Sequence, residues 1–205
     1  MSRPVTGDDL LVLHTLRCIG FAGPCRIAAA TGMTESEVES ELIDLGVAGL
    51  VTHLPGEFGG WGLTDAGRAA DADRITGELD SAGARTALTA AFEGFLVLNP
   101  ELLDLCTAWQ LRSVEGLMTA NDHTDPSYDG RVLDRFAEFH RRAAVVCAEL
   151  AAAQPRFGRY ETRLTEALQR AAAGALEYVA DDVASYHAVW AELHEDLLAT
   201  LGIPR

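Results

Sequence analysis

The residues with the most chemical potential lie in a short polar segment, NDHTDP, that joins two helical patterns. The segment holds Asp122, His123 and Asp125, and Trp109 and Arg112 stand at the end of the preceding pattern. A pocket between helices that brings an arginine, a histidine and an aromatic ring together would suit a small anionic ligand. Aspartate also caps helices and forms turns, so Asp125 can begin the next helix without any ligand. The pattern is compatible with both a ligand pocket and a plain turn.

The last helical pattern, SYHAVWAELHEDLLATLG, has one apolar face. Its apolar residues recur at helical spacing and form a stripe of Tyr186, Trp190, Leu193, Leu197 and Leu201. The acidic residues Glu192, Glu195 and Asp196 are expected to turn away from this stripe. The pattern therefore predicts a helix that packs on one side and meets water on the other.

Three histidines in the helical half are candidate ligands. His187 and His194 lie on the border of the apolar stripe, and His140 lies on an aromatic face of an earlier helix. Residues seven apart on a helix are separated by about 10.5 Å along its axis, whereas zinc–nitrogen bonds are about 2.1 Å long. His187 and His194 therefore cannot share one ion, and we predict hydrogen-bonded histidines rather than a metal site. With Tyr186 and Trp190, the three histidines are also candidates for lining a ligand pocket.

No catalytic motif is recognisable. The sequence contains no Gly-x-Ser-x-Gly turn, no glycine-rich phosphate loop and no spaced pair of carboxylates. Its four cysteines form no CxxC pair, and three of them fall in apolar helical patterns: Cys18, Cys25, Cys106 and Cys147. Buried free thiols are the better interpretation, and neither a disulfide nor a zinc site is indicated. We predict no catalytic residue, no metal and no cofactor.

A second segment, TESEVESELIDLGV, stands where a DNA-reading helix is expected, yet it carries five carboxylates and no arginine. On a helical wheel one side is apolar and faces the core: Val38, Leu42 and Leu45. The opposite side is centred on Ser36, Ser40, Ile43 and Val47. Serine can contact base edges, so Ser36 and Ser40 are candidate DNA contacts, but the neighbouring carboxylates repel phosphate.

The charge of the chain opposes a nucleic-acid partner. Sixteen basic residues, all of them arginine, stand against 31 acidic residues, and the net charge is -15. Residues 1–75 hold five arginines and eleven carboxylates, a balance of -6. Nucleic-acid binding draws affinity from Lys and Arg contacts with phosphate, and an acidic chain repels that polymer. The remaining candidate phosphate contacts are Arg26, His53 and Arg68.

Caps and turn formers define the elements of the N-terminal part. A helix is predicted over residues 8–19, and a short one follows over GPCRIAAATG with Pro24 in its first turn. Thr34 and Glu37 form a capping box that begins the acidic helix. Strands around LVTHL and WGL are joined by PGEFGG as a hairpin, and Thr64 can cap another helix. The predicted order is three helices, a two-stranded wing and a fourth helix.

From Arg85 onward the pattern is helical throughout. Predicted helices span residues 84–99, 101–113, 128–153, 160–179 and 182–201. With 48% hydrophobic and 23% charged residues, the chain is predicted to be globular and mainly α-helical, with domains over residues 1–82 and 83–205. No apolar run is long enough for a membrane span, and MSRPVTGDDLL lacks a secretion signal, so we expect a cytoplasmic protein.

The N-terminal order resembles the winged-helix domains of bacterial regulators such as the MarR and PadR families. The likeness covers roughly residues 7–80 and rests on GLVTHL after the third helix and GLTDAGR after the wing. It implies an N-terminal winged helix-turn-helix with a two-stranded β-wing, followed here by a C-terminal helical bundle. The matching residues build the scaffold and carry no base-reading chemistry.

The helical half resembles a module of actinobacterial proteins that is sometimes fused, behind a similar winged helix, to phosphoenolpyruvate-utilising, pyruvate phosphate dikinase-like enzymes. The likeness rests on CTAWQLR, NDHTDPSYD and SYHAVWAELHEDLLATLG. It implies an accessory or regulatory role, because the chain shows no ATP-grasp or phosphohistidine domain of its own.

Together these patterns predict a MarR-like transcription regulator whose helical domain binds an effector, self-associates as a homodimer, or does both. The alternative is an accessory or adaptor module that does not bind DNA and contacts a partner enzyme, for example one of phosphoenolpyruvate metabolism. An enzyme that uses His123 and Arg112 is the third and least favoured function. DNA, a small anionic ligand and a partner enzyme are thus the candidate partners, and no membrane is expected.

Overall fold

The computed structural model describes residues 7–56, 59–114 and 116–204. Residues 1–6, which begin the N-terminus assessed for a secretion signal, and residues 57–58 in the predicted hairpin tip lie outside the described residues. The protein is mainly α-helical. Its elements are α1 (Asp8–Ile19), α2 (Pro24–Thr31), α3 (Glu35–Val47), β1 (Val51–Leu54), β2 (Gly60–Leu63), α4 (Asp65–Ser81), α5 (Arg85–Gln110), β3 (Leu111–Val114), β4 (Leu117–Ala120), α6 (Pro126–Ala153), α7 (Gly158–Ala172) and α8 (Tyr186–Leu201).

The chain folds into two compact units. Unit 1 comprises Met1–Thr86, Gln154–Arg159 and Glu192–Arg205, and unit 2 comprises Ala87–Ala153 and Tyr160–Ala191. This division differs from the predicted domains 1–82 and 83–205, because unit 1 takes two segments from the second half. Helix α8 contributes its first part to unit 2 and its last part to unit 1. Local sequence patterns cannot show such a return of the chain.

The N-terminal elements of unit 1 form as the caps predict. Thr34 accepts a hydrogen bond from the Glu37 backbone N–H, and the Glu37 carboxylate accepts one from the Thr34 N–H, so the capping box at α3 is confirmed. Strands β1 and β2 pair antiparallel as the predicted hairpin, with Val51 opposite Leu63. Thr64 caps α4 by accepting from the Gly67 N–H. All three features were encoded locally.

The core of this N-terminal part contains the residues predicted for it. Val38, Leu42 and Leu45 of α3 are buried, which confirms the core-facing side of that helix. They belong to one cluster with residues of α1, of α2, of β1 and of the segment between α1 and α2: Val12, Leu13, Leu16, Ala22, Ile27, Ala28 and Val51. Outside the hairpin, Ala22 forms a bridge with Trp61 that attaches the segment before α2 to the sheet. Burial of these side chains fixes which face of α3 meets solvent.

Helix α5 of unit 2 corrects one prediction. Residues 84–99 and 101–113 were expected to form two helices separated at Pro100, but a single helix continues through Pro100. Proline removes one backbone donor and leaves the carbonyl four residues earlier, that of Leu96, without its helical partner. Both Pro100 and Leu96 are exposed. Water can therefore donate a hydrogen bond to the Leu96 carbonyl, and the helix can continue.

A second hairpin corrects the prediction of helices throughout residues 85–205. Strands β3 and β4 pair antiparallel, with Arg112 opposite Thr119, where the prediction had a helix and a turn. Gly116 has a φ of 84° in the connection, a conformation that glycine adopts without strain. The helix predicted over 160–179 ends earlier, at Ala172, and a short 3-10 turn occupies Leu176–Tyr178. None of the helices in the described part of the chain has the length and apolar character required to cross a membrane.

Candidate functional site

The solvent face of α3 is acidic and partly apolar. Its side chains Ser36 and Ser40 are exposed as predicted. Ile43 and Val47 on the same face are 59% and 86% exposed. Burial and the negative charges of Asp9, Asp8 and Asp44 raise the pKa of Glu41, which shows the effect of crowded carboxylates here. This face offers hydroxyls, carboxylates and two large aliphatic side chains.

Every arginine between residues 7 and 86 forms an ion pair with a carboxylate of unit 1. Of the candidate phosphate contacts, Arg26 pairs with Glu192 at 3.5 Å and Arg68 with Asp65 at 3.0 Å. The other pairs are Arg17–Glu195, Arg74–Asp9 and Arg85–Asp80. His53, the remaining candidate, is exposed and its ring contacts Trp61 with centroids 5.0 Å apart. A phosphate group would therefore compete with carboxylates for these guanidinium groups.

The residues predicted for the ligand pocket around NDHTDP do come together in unit 2. The His123 ring lies against the buried Trp109 ring, with centroids 4.5 Å apart. Arg112 donates from Nη2 to Asp122 Oδ1 at 3.0 Å. Asn121, which the sequence analysis did not single out, is buried at the centre and donates from Nδ2 to the Trp109 carbonyl at 3.0 Å. Its amide thus anchors the end of α5.

The hydrogen bonds fix the tautomer of His123. The two protons of Asn121 Nδ2 are used by the Trp109 carbonyl and by Asp129 Oδ1, at 3.0 and 2.8 Å. His123 Nδ1 lies 3.1 Å from Asp129 Oδ2, which can only accept, so Nδ1 carries the proton. Nε2 has no hydrogen-bond partner among the described residues. His123 also has a φ of 56°, an uncommon conformation for a residue other than glycine.

Carboxylates surround the basic groups of this cluster. Arg112 Nη1 lies 4.0 Å from Asp125 Oδ2, in addition to the bond with Asp122. Asp125 also accepts from the Ser127 and Tyr128 N–H groups and so caps α6. The guanidinium group of Arg112 is therefore engaged within the fold. These contacts connect the end of α5, the β3–β4 hairpin and the start of α6, which is a structural role.

Three of the other pocket candidates, His140, Tyr186 and Trp190, lie in a separate aromatic cluster. His140 lies with Nδ1 3.1 Å from the Tyr186 hydroxyl and with Nε2 3.2 Å from Thr165 Oγ1. Burial lowers the pKa of His140, although the charge of Glu161 opposes this shift. Trp190 donates from Nε1 to Asn99 at 3.0 Å. His187 and His194 are partly buried, in unit 2 and unit 1 respectively.

A buried polar network in unit 1, around Asp196 of α8, was not predicted. The Asp196 carboxylate accepts from Arg156 Nη1, from Arg159 Nη2 at 3.0 Å and from Thr200 Oγ1 at 3.0 Å. His14 Nε2 lies 3.0 Å away on the same carboxylate. The expectation that Asp196 turns toward solvent is wrong, because these partners replace water around it.

Glu192 and Glu195 contradict the same expectation. Both are only 6% exposed. Glu195 accepts from Arg17 at 2.8 Å, and Arg26 Nη2 lies 3.5 Å from Glu192. Arginines of α1 and α2 thus supply the positive charge that allows these carboxylates to be buried. A helical wheel could not show them, since it contains only the residues of one helix.

His14 lies between two carboxylates and a thiol. Its Nδ1 atom is 2.9 Å from Asp71 Oδ1, and its Nε2 atom is 3.0 Å from Asp196 and 3.7 Å from Cys18 Sγ. Burial lowers the pKa of His14, but the neighbouring Cys18 and Asp196 side chains and the hydrogen bonds to Asp196 and Asp71 raise it well above the ordinary value. Burial raises the pKa of the Cys18 thiol. Despite burial, the charges of Arg156, His14 and Arg159 keep the pKa of Asp196 well below its ordinary value.

The prediction of buried free thiols is confirmed for two of the four cysteines. All four thiols are free, and Cys106 and Cys147 are buried, whereas Cys18 is partly buried and Cys25 is exposed. Burial raises the pKa of Cys106 to about 11 and, more strongly, that of Cys147 to about 12. These two thiols are therefore protonated packing groups in unit 2. Cys18 differs because it has a histidine and a carboxylate beside it.

Comparison with other proteins gives no further identification. No family model, curated protein or solved structure matches this chain.

Proposed function

We propose that the protein is an adaptor whose N-terminal winged helix contacts a partner protein through the exposed face of α3. The observation that carries this proposal is the composition of that face. It combines carboxylates with Ile43 and Val47, which are 59% and 86% exposed, and it contains no basic residue. Apolar surface rimmed by polar residues is one mark of a protein-contact site.

Electrostatics favours a protein over DNA as the partner. A recognition helix usually brings Arg, Lys, Asn or Gln to bases and phosphates, whereas α3 brings five carboxylates. The arginines of the same part of the chain are paired with carboxylates, so moving them onto phosphate would break those pairs. The affinity gained from counterion release at phosphates is therefore small here.

The face also defines the chemistry of the partner. An apolar groove with a basic rim would cover Ile43 and Val47 and pair with Glu39 and Asp44, in the manner of a helix bound in a groove. The resemblance of the helical half to modules fused behind phosphoenolpyruvate-utilising enzymes suggests one class of partner, an enzyme of that metabolism. Both arguments describe an accessory role rather than catalysis by this chain.

Charge reversal on α3 tests the proposal. The double variant Glu39→Arg/Asp44→Arg should lose the protein that co-purifies with the tagged wild type from its own host, with affinity reduced about tenfold or more. The matched control, Asp134→Arg/Glu149→Arg, changes the net charge equally at exposed positions of α6. It should retain the partner. Equal loss in both variants, or no specific partner of the wild type, would contradict the proposal.

The second candidate function is the MarR-like transcription regulator, a homodimer with an effector-binding helical domain. It is favoured by the element order α1, α2, α3, β1, β2, α4 and by the Ala22–Trp61 bridge, an order typical of winged helices. Binding of the gene's own upstream DNA, weakening steeply as salt rises, would support it. Absence of binding at low salt would remove it.

A further inference from the structure

The His14, Cys18 and Asp196 side chains place three metal-binding atoms around one buried point of unit 1. The imidazole nitrogen, the thiol sulfur and a carboxylate oxygen all lie within 4.8 Å of one another. His14 and Cys18 are four residues apart on α1, so they share one face of that helix. We propose that these three residues bind one divalent transition-metal ion of the zinc type.

Two of the three donor distances are close to those around such an ion. Tetrahedral zinc has bonds of about 2.0–2.1 Å to nitrogen or oxygen and about 2.3 Å to sulfur, which places neighbouring donors roughly 3.3–3.6 Å apart. His14 Nε2 lies 3.0 Å from Asp196 Oδ1 and 3.7 Å from Cys18 Sγ. The third pair, Cys18 Sγ and the Asp196 oxygen, lies within 4.8 Å, so the partly buried thiol must approach the carboxylate by up to about 1 Å to reach the spacing of neighbouring donors around one ion.

The surrounding hydrogen bonds orient the donors as metal sites require. His14 Nδ1 lies 2.9 Å from Asp71 Oδ1, the carboxylate–histidine arrangement that holds Nε2 toward a metal. Arg156, Arg159 and Thr200 hold the Asp196 carboxylate in one orientation and keep it ionised. The His14 and Asp196 side chains are thus held in place before an ion arrives.

The charge of the site is unchanged when the ion binds. Without metal, both His14 nitrogens face carboxylates, and the raised pKa values of His14 and of the Cys18 thiol favour the protonated form of each group. Binding releases one proton from His14 Nε2 and one from the thiol, and one divalent cation replaces them. The total charge beside the Arg156 and Arg159 guanidinium groups is therefore the same in the metal-free and the metal-bound protein. The bonds formed are metal–nitrogen, metal–sulfur and metal–oxygen, and no oxidation occurs.

Cobalt substitution tests the site directly. The full chain, freed of metal by a chelator and titrated with Co²⁺, should bind one equivalent and develop the near-ultraviolet sulfur-to-cobalt absorption of a thiolate ligand. Cys18→Ser should lose that absorption, whereas Cys25→Ser, which removes an exposed thiol of α2, should keep it. A folded wild type that binds no cobalt, or an absorption that survives in Cys18→Ser, would overturn the proposal.

A second measurement needs no variant. Zn²⁺ added to the metal-free wild type in dilute buffer should release two protons per bound ion, one from His14 and one from Cys18. Release of no protons would show that the His14–Asp196 contact remains a proton-mediated ion pair, and the site would be rejected. Neither measurement involves a partner protein, so failure here is distinguishable from failure of the adaptor proposal.

Discussion

Arg156 contacts both carboxylate oxygens of Asp196 with a single nitrogen, Nη1, at 2.7 and 2.8 Å. The side chains are 4% and 0% exposed, so this ion pair lies away from water. Arg159 adds a second guanidinium group at 3.0 Å. The segment between α6 and α7 is thereby attached to the last part of α8 within unit 1. Buried pairs of this kind contribute little net stability when intact but are costly to break.

Removing the Asp196 charge should destabilise the fold strongly. Asp196→Asn removes the buried carboxylate charge that the Arg156 and Arg159 guanidinium groups contact, and we expect a loss of about 3–5 kcal/mol in the free energy of unfolding. Urea denaturation in the presence of a chelator measures this loss apart from any metal. Asp65→Asn, which breaks only the exposed pair with Arg68, should cost about 0–1 kcal/mol. Similar losses in both variants would contradict the prediction.

Two glycines of α4 should respond to alanine in opposite directions. A Cβ atom at Gly67 would lie 1.9 Å from the Leu50 carbonyl oxygen, so Gly67→Ala must displace α4 from the turn before β1 and should cost about 1–3 kcal/mol. Gly77 has no atom within 4 Å of that position, and Gly77→Ala should stabilise the helix by about 0.5–1 kcal/mol. Thermal unfolding of the two variants compares them. A stabilised Gly67→Ala variant would show that the close approach is absent.

The tautomer of His123 can be read by NMR. We expect the neutral ring to carry its proton on Nδ1, because Asp129 Oδ2 lies 3.1 Å from that atom. Nε2 then carries no proton. Nitrogen-15 chemical shifts of the imidazole ring distinguish the two tautomers. Asp129→Asn should redistribute the tautomers, whereas Asp122→Asn should not. An Nε2-protonated ring in the wild type would contradict the assigned hydrogen bonds.

Burial of His140 gives a pH dependence of known sign. Because its pKa is lowered in the fold, the unfolded chain takes up this proton first as pH falls through about 6.5. Stability is therefore lost as pH falls through that value toward the folded pKa. The difference in unfolding free energy between the wild type and His140→Gln should shrink from about pH 7.5 to pH 5.5. His53→Gln, at an exposed position, is the control, and equal slopes in all three proteins would refute the assignment.

The part of the fold that local chemistry determines was predictable. Thr34, Glu37 and Thr64 signal helix starts through bonds that span three residues, and the structure contains those bonds. The β3–β4 hairpin was missed because its described side chains on β4 are all exposed, so no alternation of apolar and polar residues marks it. Continuity of α5 through Pro100 depends on solvent reaching one carbonyl, which no sequence pattern records.

The candidate sites also differ in how far apart their residues lie in the sequence. The sequence offered Trp109, Arg112, Asp122 and His123 as the lining of one pocket, with a plain turn as the alternative. These residues lie close together along the chain, and the structure brings them into contact in two pairs. The network of His14 and Asp196 joins residues 182 positions apart. Only folding brings them together, and the acidic residues of α8 then form buried ion pairs with arginine and histidine. A pairing of a polar α1 residue with a carboxylate of α8 has no local signal.

The central claim, that α3 meets a protein and not DNA, is tested most directly by photo-crosslinking from the middle of its exposed face. A photoreactive amino acid at Ser40, activated in living cells of the host, should form a specific adduct with a protein. The same residue at Ser127, an exposed position of α6, should not form that adduct. The account would be contradicted by a nucleic-acid adduct at Ser40 or by the absence of any protein adduct at that position.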